Sequence, residues 1–182
     1  MFDIDKEIDH MIDNVEGGYV NDPSDPGGET IWGMTIAVAR ANGYVGRMRD
    51  MTKDIAKVIY KKQYWLKPKF DQVAVRYPRV AAELFDTGVN AGVARASEFL
   101  QRVLNVLNDG GRLYADIVPD GQLGPASLTA LDGYMRARGK AGEDALVRYL
   151  DALQGNHYIT LAERSSKFER FMYGWAKRLA NA

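Results

Sequence analysis

The segment DNVEGGYVNDPSDPGGETIWGMT, residues 13–35, holds the side chains best suited to chemistry. It contains five acids within seventeen residues, Asp13, Glu16, Asp22, Asp25 and Glu29. Two carboxyl groups that flank a cleft are what glycoside hydrolysis requires, because one protonates the leaving oxygen while the other attacks or activates water. A calcium loop would use similar residues, but the segment lacks the Asp-x-Asp-x-Asp-Gly spacing and the glutamate at position twelve. We therefore expect acid–base chemistry and no metal site here.

Glu16 is the best candidate for the proton donor. An apolar stripe predicts a helix before it, with Ile4, Ile8, Met11, Ile12 and Val15 on one face. Gly17-Gly18 would end that helix. The negative end of the helix dipole and neighbouring apolar groups both raise the pKa of a carboxyl group. A shift from ~4.3 to ~6 costs about 2.3 kcal/mol and suits a general acid near neutral pH. The alternative is a solvated acid at a helix end.

The second catalytic group is less sharply defined by the sequence. Asp25 lies nine residues after Glu16, in the turn-like run DPSDPGGET, and Asp22 and Glu29 compete with it. An aspartate before proline is also a common turn residue. Turn and cap hydrogen bonding therefore remains an alternative for Asp22 and Asp25.

Apolar spacing in the rest of the chain is typical of helices. The segments with helical periodicity, caps or first-turn prolines are 35–43, 52–65, 78–92, 93–108, 125–135, 142–161 and 166–179, with a bend near Gly155. Residues 112–124 are irregular or form a small hairpin that turns at Asp120-Gly121. Strand patterns are sparse elsewhere. We therefore expect a mainly α fold with at most a small β-hairpin.

Composition excludes several classes of function. The 182 residues include no cysteine and two histidines, so thiolate chemistry and a histidine-rich metal site are excluded. We expect no cofactor. Apolar runs are shorter than the ~18 residues that span a bilayer, so we expect no stable membrane insertion. The acidic N-terminus is unlike a signal peptide. Nucleic-acid binding is not expected, because no strongly basic domain or recognised motif is present.

Charge is distributed unevenly although the net charge is zero. Residues 1–29 hold nine acids and one lysine, a net of −8, and residues 40–79 hold eleven Lys/Arg and three Asp, a net of +8. An acidic face beside a basic one suits a cleft for a polyanionic or mixed-charge substrate. Electrostatic docking of the two segments on each other is the alternative.

Several segments together resemble one enzyme family. The run EGGYVNDPSDPGGETIWGMT (16–35) is similar to the signature of glycoside hydrolase family 108, the N-acetylmuramidases of phage endolysins and secretion-associated muramidases. YKKQYW (60–65) and FDTGVNAGVARASEFLQRVL (85–104) also resemble that family. DGQLGPASLTAL (120–131) and FMYGWAKRL (171–179) resemble its C-terminal predicted peptidoglycan-binding region. The resemblance therefore covers most of the chain.

The resemblance implies roles for individual residues. Glu16 matches the proposed catalytic acid of Glu-Gly-Gly-Tyr, and Asp25 and Thr30 stand where phage lysozymes place groups that orient water or stabilise the sugar cation. Flat aromatic faces suit sugar rings, so substrate contact is expected at Tyr19 and Trp65, with core packing as the alternative. Asn90 could hydrogen-bond an acetamido group, or serve only as a helix cap.

The expected organisation and function follow from that resemblance. We expect a compact lysozyme-like helical fold, with a catalytic region over 1–91 and a peptidoglycan-binding-like region over 92–182 packed with it. The expected reaction is hydrolysis of the β-1,4 bond between N-acetylmuramic acid and N-acetylglucosamine. A lytic transglycosylase and a non-enzymatic wall-binding module are alternatives. The expected partner is the glycan strand, reached by a cytoplasmically made monomer in the periplasm through a holin or a secretion system.

Overall fold

The computed structural model of the protein describes residues 2–13, 18–21 and 28–179. The chain divides into two compact units, Met1–Lys67 and Pro68–Ala182. The elements of the first unit are α1 (Ile4–Asp13), β1 (Thr30–Ile31), β2 (Met34–Thr35), α2 (Ile36–Ala41), a 3-10 turn (Met48–Asp50), α3 (Lys53–Lys61) and a π-helical turn (Lys62–Leu66). Those of the second are α4 (Phe70–Ala74), α5 (Pro78–Ala91), α6 (Val93–Leu107), α7 (Pro125–Arg164), a 3-10 turn (Ser166–Phe171) and α8 (Met172–Leu179).

The first unit is organised around the packing of α1 on α3. The apolar stripe of α1 places Ile8 and Ile12 in the core, each only 1% exposed. Thr52 starts α3, and its hydroxyl accepts a hydrogen bond from the backbone N–H of Ile55 at 3.3 Å. Such an N-cap satisfies one of the free donors of the first helical turn. The apolar face of α1 is therefore buried, and α3 begins at its N-cap, as the sequence predicts.

A two-stranded antiparallel sheet follows the acidic segment. Thr30 pairs with Thr35 and Ile31 pairs with Met34, so that only two residues form the turn. Those residues, Trp32 and Gly33, have φ of 54° and 73°. Positive φ at both central positions is the pattern of a type I′ turn, whose twist matches that of antiparallel strands. The hairpin thus lies at 30–35.

The second unit is a set of packed helices with two breaks at glycines. Gly92, with φ of 97°, separates α5 from α6. Gly139, with φ of 57° and ψ of −148°, interrupts α7. The buried side chains between these helices include Leu84, Leu100, Leu104, Leu131, Leu146, Leu150 and Tyr158. The interruption of the long helix therefore lies at Gly139, and the expected bend at Gly155 is wrong because Gly155 is helical.

Residues 112–124 form an irregular segment whose backbone is held by side chains of α6. The Gln101 side chain accepts from the N–H of Gly121 at 2.8 Å and donates to Asp120 at 2.9 Å. Asn105 likewise accepts from the N–H of Ile117 and donates to its carbonyl. Since these side chains satisfy the backbone groups, no partner strand is needed there. The mainly α, lysozyme-like fold class with a small hairpin is confirmed.

Candidate active site

A backbone bridge joins two residues of the acidic segment. Val20 and Thr30 exchange two antiparallel hydrogen bonds, each 2.8 Å long. The bridge joins the stretch after Gly18 to strand β1, and we call the sequence between its two ends, residues 21–29, the acidic loop. Asp25, one of the predicted catalytic groups, belongs to that loop in sequence. Both Asp25 and the predicted general acid Glu16 lie outside the described residues, and their roles stay predictions.

Thr30 lies at the edge of the hairpin, half-buried. Its hydroxyl is within 3.4 Å of the carbonyl oxygen of Gly28, to which it donates. Both backbone groups of Thr30 are engaged with Val20. This residue is therefore fixed in position at the end of the acidic loop, and its predicted role toward water or the sugar remains a prediction.

Tyr19 is held by two contacts beside the same bridge. Its hydroxyl donates to Oε2 of Glu29 at 2.9 Å, and the guanidinium of Arg49 lies over its ring, 5.2 Å from the ring centroid. A cation over an aromatic face is attracted by the ring quadrupole. These contacts orient the ring three residues after Glu16 in the sequence.

A cleft of about 470 Å³ opens at Tyr19. We call it the arginine cleft, and its lining comprises Tyr19, Asn21, Glu29, Arg40, Arg47 and Arg49, with Met48 among them. The sequence shows a basic segment over residues 40–79, but no local motif distinguishes these arginines within it. Their convergence depends on the path of residues 44–50, which local patterns do not define.

Trp32 adopts a left-handed backbone conformation that is unusual for a bulky residue. Two hydrogen bonds hold it: its indole N–H donates to the carbonyl of Met51 at 2.8 Å, and the Tyr60 hydroxyl donates to its carbonyl at 3.1 Å. Burial raises the pKa of Tyr60 well above its usual value, which keeps that hydroxyl a donor. These contacts fix the hairpin turn against the neighbouring elements of the same unit.

Trp65 lies in the π-helical turn and is 5% exposed. The centroid of its ring is 5.3 Å from that of Phe2. A ring so buried offers little surface to a sugar, so its position favours core packing, the alternative already open for this residue.

Asn90 belongs to α5, in the second unit. Its amide nitrogen donates to the backbone carbonyl of Asp86 at 2.7 Å and to the Asp86 carboxylate at 3.1 Å. Both hydrogens of the amide nitrogen are thus used within the helix. Contact of Asn90 with an acetamido group stays a prediction.

Three ion pairs hold α1 against α3. They are spaced by one helical turn on each helix, and join Asp5 to Lys61, Asp9 to Lys57 and Asp13 to Lys53. The hydrogen bond from Lys53 lowers the pKa of Asp13. We call these pairs the ion-pair ladder. They show that part of the acidic and basic segments dock on each other, which was one of the two interpretations of the uneven charge.

A pair of carboxyl groups in the second unit was missed by sequence analysis. Glu83 on α5 is 4% exposed, and burial together with Asp151 and Asp86 raises its pKa to about 8. Burial also raises the pKa of Asp151 on α7. The hydroxyl of Thr87 donates to Glu83 at 3.2 Å. We call Glu83 and Asp151 the buried carboxyl pair. Such burial leaves Glu83 without access to a glycan.

Residues 2–13, 18–21 and 28–179 contain no group of three or more His, Cys, Asp or Glu side chains placed to hold a metal ion. Within the same ranges, every helix is too short or too polar to cross a bilayer.

Comparison with known protein families identifies the class of protein. The family described as Glycosyl hydrolase 108 matches residues 10–92, and the Predicted Peptidoglycan domain matches residues 95–180. The first half of the chain thus belongs to the glycosyl hydrolase 108 family, and the second half is a predicted peptidoglycan domain. The protein is a glycoside hydrolase whose substrate class is peptidoglycan. The expected boundary near residue 91 stays a prediction.

A solved structure shares this architecture over nearly the whole chain. The structure titled "Structure of Brucella abortus SagA" is 27% identical, with a TM-score of 0.70, and the match covers 98% of this chain and 90% of that one. No curated protein matches the sequence.

Proposed function

We propose that the protein is a muramidase that hydrolyses the β-1,4 bond between N-acetylmuramic acid and N-acetylglucosamine. The glycosyl hydrolase 108 match over residues 10–92, which includes Glu16, carries the proposal. Glu16 would act as the general acid that protonates the leaving glycosidic oxygen. The acidic loop after it is tied to the hairpin by the bridge between Val20 and Thr30. A loop held at both ends can position a carboxyl group at a glycan.

The other predicted residues receive individual roles by the same proposal. Asp25 and Thr30 would orient the attacking water or stabilise the sugar cation. Tyr19, whose ring is held between Glu29 and Arg49, would contact a sugar. Asn90 would accept a hydrogen bond from an acetamido group through its carbonyl oxygen. Trp65 would stabilise the first unit by packing in its core.

The biological setting completes the proposal. The protein would act as an endolysin-type monomer on peptidoglycan in the periplasm, after synthesis in the cytoplasm. A holin or a secretion system would provide the route to the wall. The predicted peptidoglycan domain supports the substrate class for this assignment.

Substitution of the proposed acid tests the function. Glu16→Gln should lower the release of soluble fragments from purified peptidoglycan by ~10²–10⁴-fold, the usual contribution of a general acid. Glu7→Gln is the matched control. Glu7 is another glutamate of the N-terminal segment, its side chain is exposed on α1, and its substitution should leave the rate unchanged. Equal rates for Glu16→Gln and wild type would rule out Glu16 as the acid.

A further inference from the structure

We propose that the arginine cleft binds the α-carboxylate of the D-glutamate in the peptide stem that muramic acid carries, with Arg49 as the residue that recognises it. The inference deepens the proposed function and rests on peptidoglycan as the substrate. It concerns which part of the substrate meets this cleft, and not the bond that is broken.

The charge of the cleft favours an anion. Its lining has three arginines and one acid, Glu29, so the formal charge is positive. Glu29 accepts a hydrogen bond from the Tyr19 hydroxyl, which engages one of its oxygens. An anion entering the cleft would lie away from Glu29, on the side of the arginines. A positively lined cleft raises the local concentration of anionic groups.

Two of the three arginines are engaged in contacts within the protein. Arg40 donates to the backbone carbonyls of Tyr44 and Gly46, the second at 2.8 Å, and so holds the loop after α2. Arg47 is paired with Asp50, with 2.7 Å between its Nε and the carboxylate oxygen. These two residues therefore shape the cleft, and part of their hydrogen-bonding capacity is already used.

Arg49 differs from both. Its guanidinium lies over the Tyr19 ring, 5.2 Å from the centroid, and among the described residues it has neither a carboxylate partner nor a hydrogen-bond acceptor. Stacking uses the face of the guanidinium and leaves its N–H groups at the edge, where they can bind a carboxylate with two parallel hydrogen bonds. The aromatic contact also restricts the side chain before binding. Arg49 is thus an oriented, exposed cation whose N–H groups no described residue engages.

The proposed substrate offers the matching group close to the reacting bond. Muramic acid bears its peptide on the lactyl ether, and the stem contains free carboxylates that some walls convert to amides. Tyr19, which Arg49 covers, follows the proposed acid Glu16 by three residues in the sequence. A stem carboxylate on Arg49 would therefore accompany a glycan at the acidic loop. The cleft would distinguish a free acid from its amide.

Two small ligands test this without any catalysis. They are N-acetylmuramyl-L-alanyl-D-glutamate, in which the α-carboxylate is free, and N-acetylmuramyl-L-alanyl-D-isoglutamine, in which it is an amide. Both ligands carry a free γ-carboxylate, so they differ only at the α-position. Binding to the full chain is measured by calorimetry or by NMR titration at low salt. Wild type should bind the acid about tenfold more tightly than the amide, as expected for one charge-assisted pair. Arg49→Gln should bind the two ligands equally.

Two further variants separate charge at this position from charge in general. Arg49→Lys keeps the cation and should retain a preference for the acid. Lys62→Gln removes an exposed cation of the same unit outside the cleft and should keep the wild-type preference. Equal binding of acid and amide by wild type, or an unchanged preference in Arg49→Gln, would overturn the proposal. Because binding is measured alone, a protein that fails to cleave peptidoglycan would contradict the proposed function and leave this test intact.

Discussion

The two units of the chain treat their carboxyl groups in opposite ways. On α1, the three aspartates of the ion-pair ladder lie at the surface, and each pairs with a lysine of the neighbouring α3. In the second unit, Glu83 is buried beside Asp151 with no salt-bridge partner in the described part of the chain. A surface pair keeps both groups ionised, whereas a buried carboxyl group without a cation keeps its proton.

This difference separates two properties that are easily confused. A pKa raised toward neutrality is often a sign of a catalytic acid. Here Glu83 has a raised pKa and lies within the matched residues 10–92 in sequence, as Glu16 does, but its side chain is closed off from solvent. Access to substrate, and not pKa alone, therefore decides between a catalytic acid and a structural one. We assign Glu83 to the stability of its own unit.

The largest expected effect on stability comes from the apolar contact between α1 and α3. Ile12→Ala removes a side chain that is 1% exposed between α1 and α3. Loss of a buried aliphatic side chain of this size costs about 2–5 kcal/mol. Urea unfolding should therefore show a lower midpoint for Ile12→Ala. Val58→Ala, at a position 67% exposed on α3, is the control and should change little. Similar midpoints for the two variants would show that the ladder, and not burial, holds α1.

The next largest expected effect is the dependence of stability on pH that the buried carboxyl pair produces. The pKa of Glu83 is about 8 in the folded protein against 4.5 for an unperturbed glutamate, so the folded state holds its proton more tightly than the unfolded state. Its contribution to stability is fully present below about pH 4.5 and is lost as pH rises through about 8. Melting temperature should fall by roughly 5 °C or more between pH 5 and pH 9.

Glu83→Gln makes this group permanently neutral. The variant should match wild type near pH 5 and melt at a higher temperature at pH 9, so its profile is flatter. Glu98→Gln, at a partly exposed position on α6, is the control and should keep the wild-type slope. A Glu83→Gln profile as steep as that of wild type would assign the pH dependence to other groups.

The smallest effect is expected for the ladder itself. Lys57→Gln breaks the pair with Asp9, whose carboxylate raises the pKa of Lys57. Solvent screens such pairs, so the melting temperature should fall by less than about 2 °C at low salt. In 1 M salt, where the Debye length is about 3 Å, the difference should vanish. Lys62→Gln, outside the ladder, controls for loss of charge. A deficit that persists in high salt would indicate lost packing instead.

Much of the fold could be predicted because its signals are local. The stripe of Ile8 and Ile12 identified α1, and Pro78 and Pro125 stand at the first residues of α5 and α7, as their fixed φ favours. A small hairpin was expected, but its place at 30–35 was missed because its turn is Trp32-Gly33, and a tryptophan with positive φ is not a usual turn signal. Contacts distant in sequence, from Met51 and Tyr60, hold that turn.

The candidate site was predictable to the extent that a motif defines it. Tyr19 and Thr30 were expected near the acidic loop, and the structure joins them to it through the Val20 bridge and the contact with Gly28. Arg49 and Glu83 carried no such signal. The position of Arg49 depends on the path of a loop, and the burial of Glu83 depends on the packing of two helices. Local sequence spacing predicts neither.

Mass spectrometry of the fragments released from purified peptidoglycan tests the central claim most directly. Wild-type protein should release muropeptides that end in reducing N-acetylmuramic acid, because water attacks after Glu16 has protonated the leaving oxygen. Glu16→Gln should release almost none. Fragments ending in anhydro-muramic acid would contradict hydrolysis and identify a lytic transglycosylase. Retention on the wall without any released fragment would contradict an enzyme and identify a binding module.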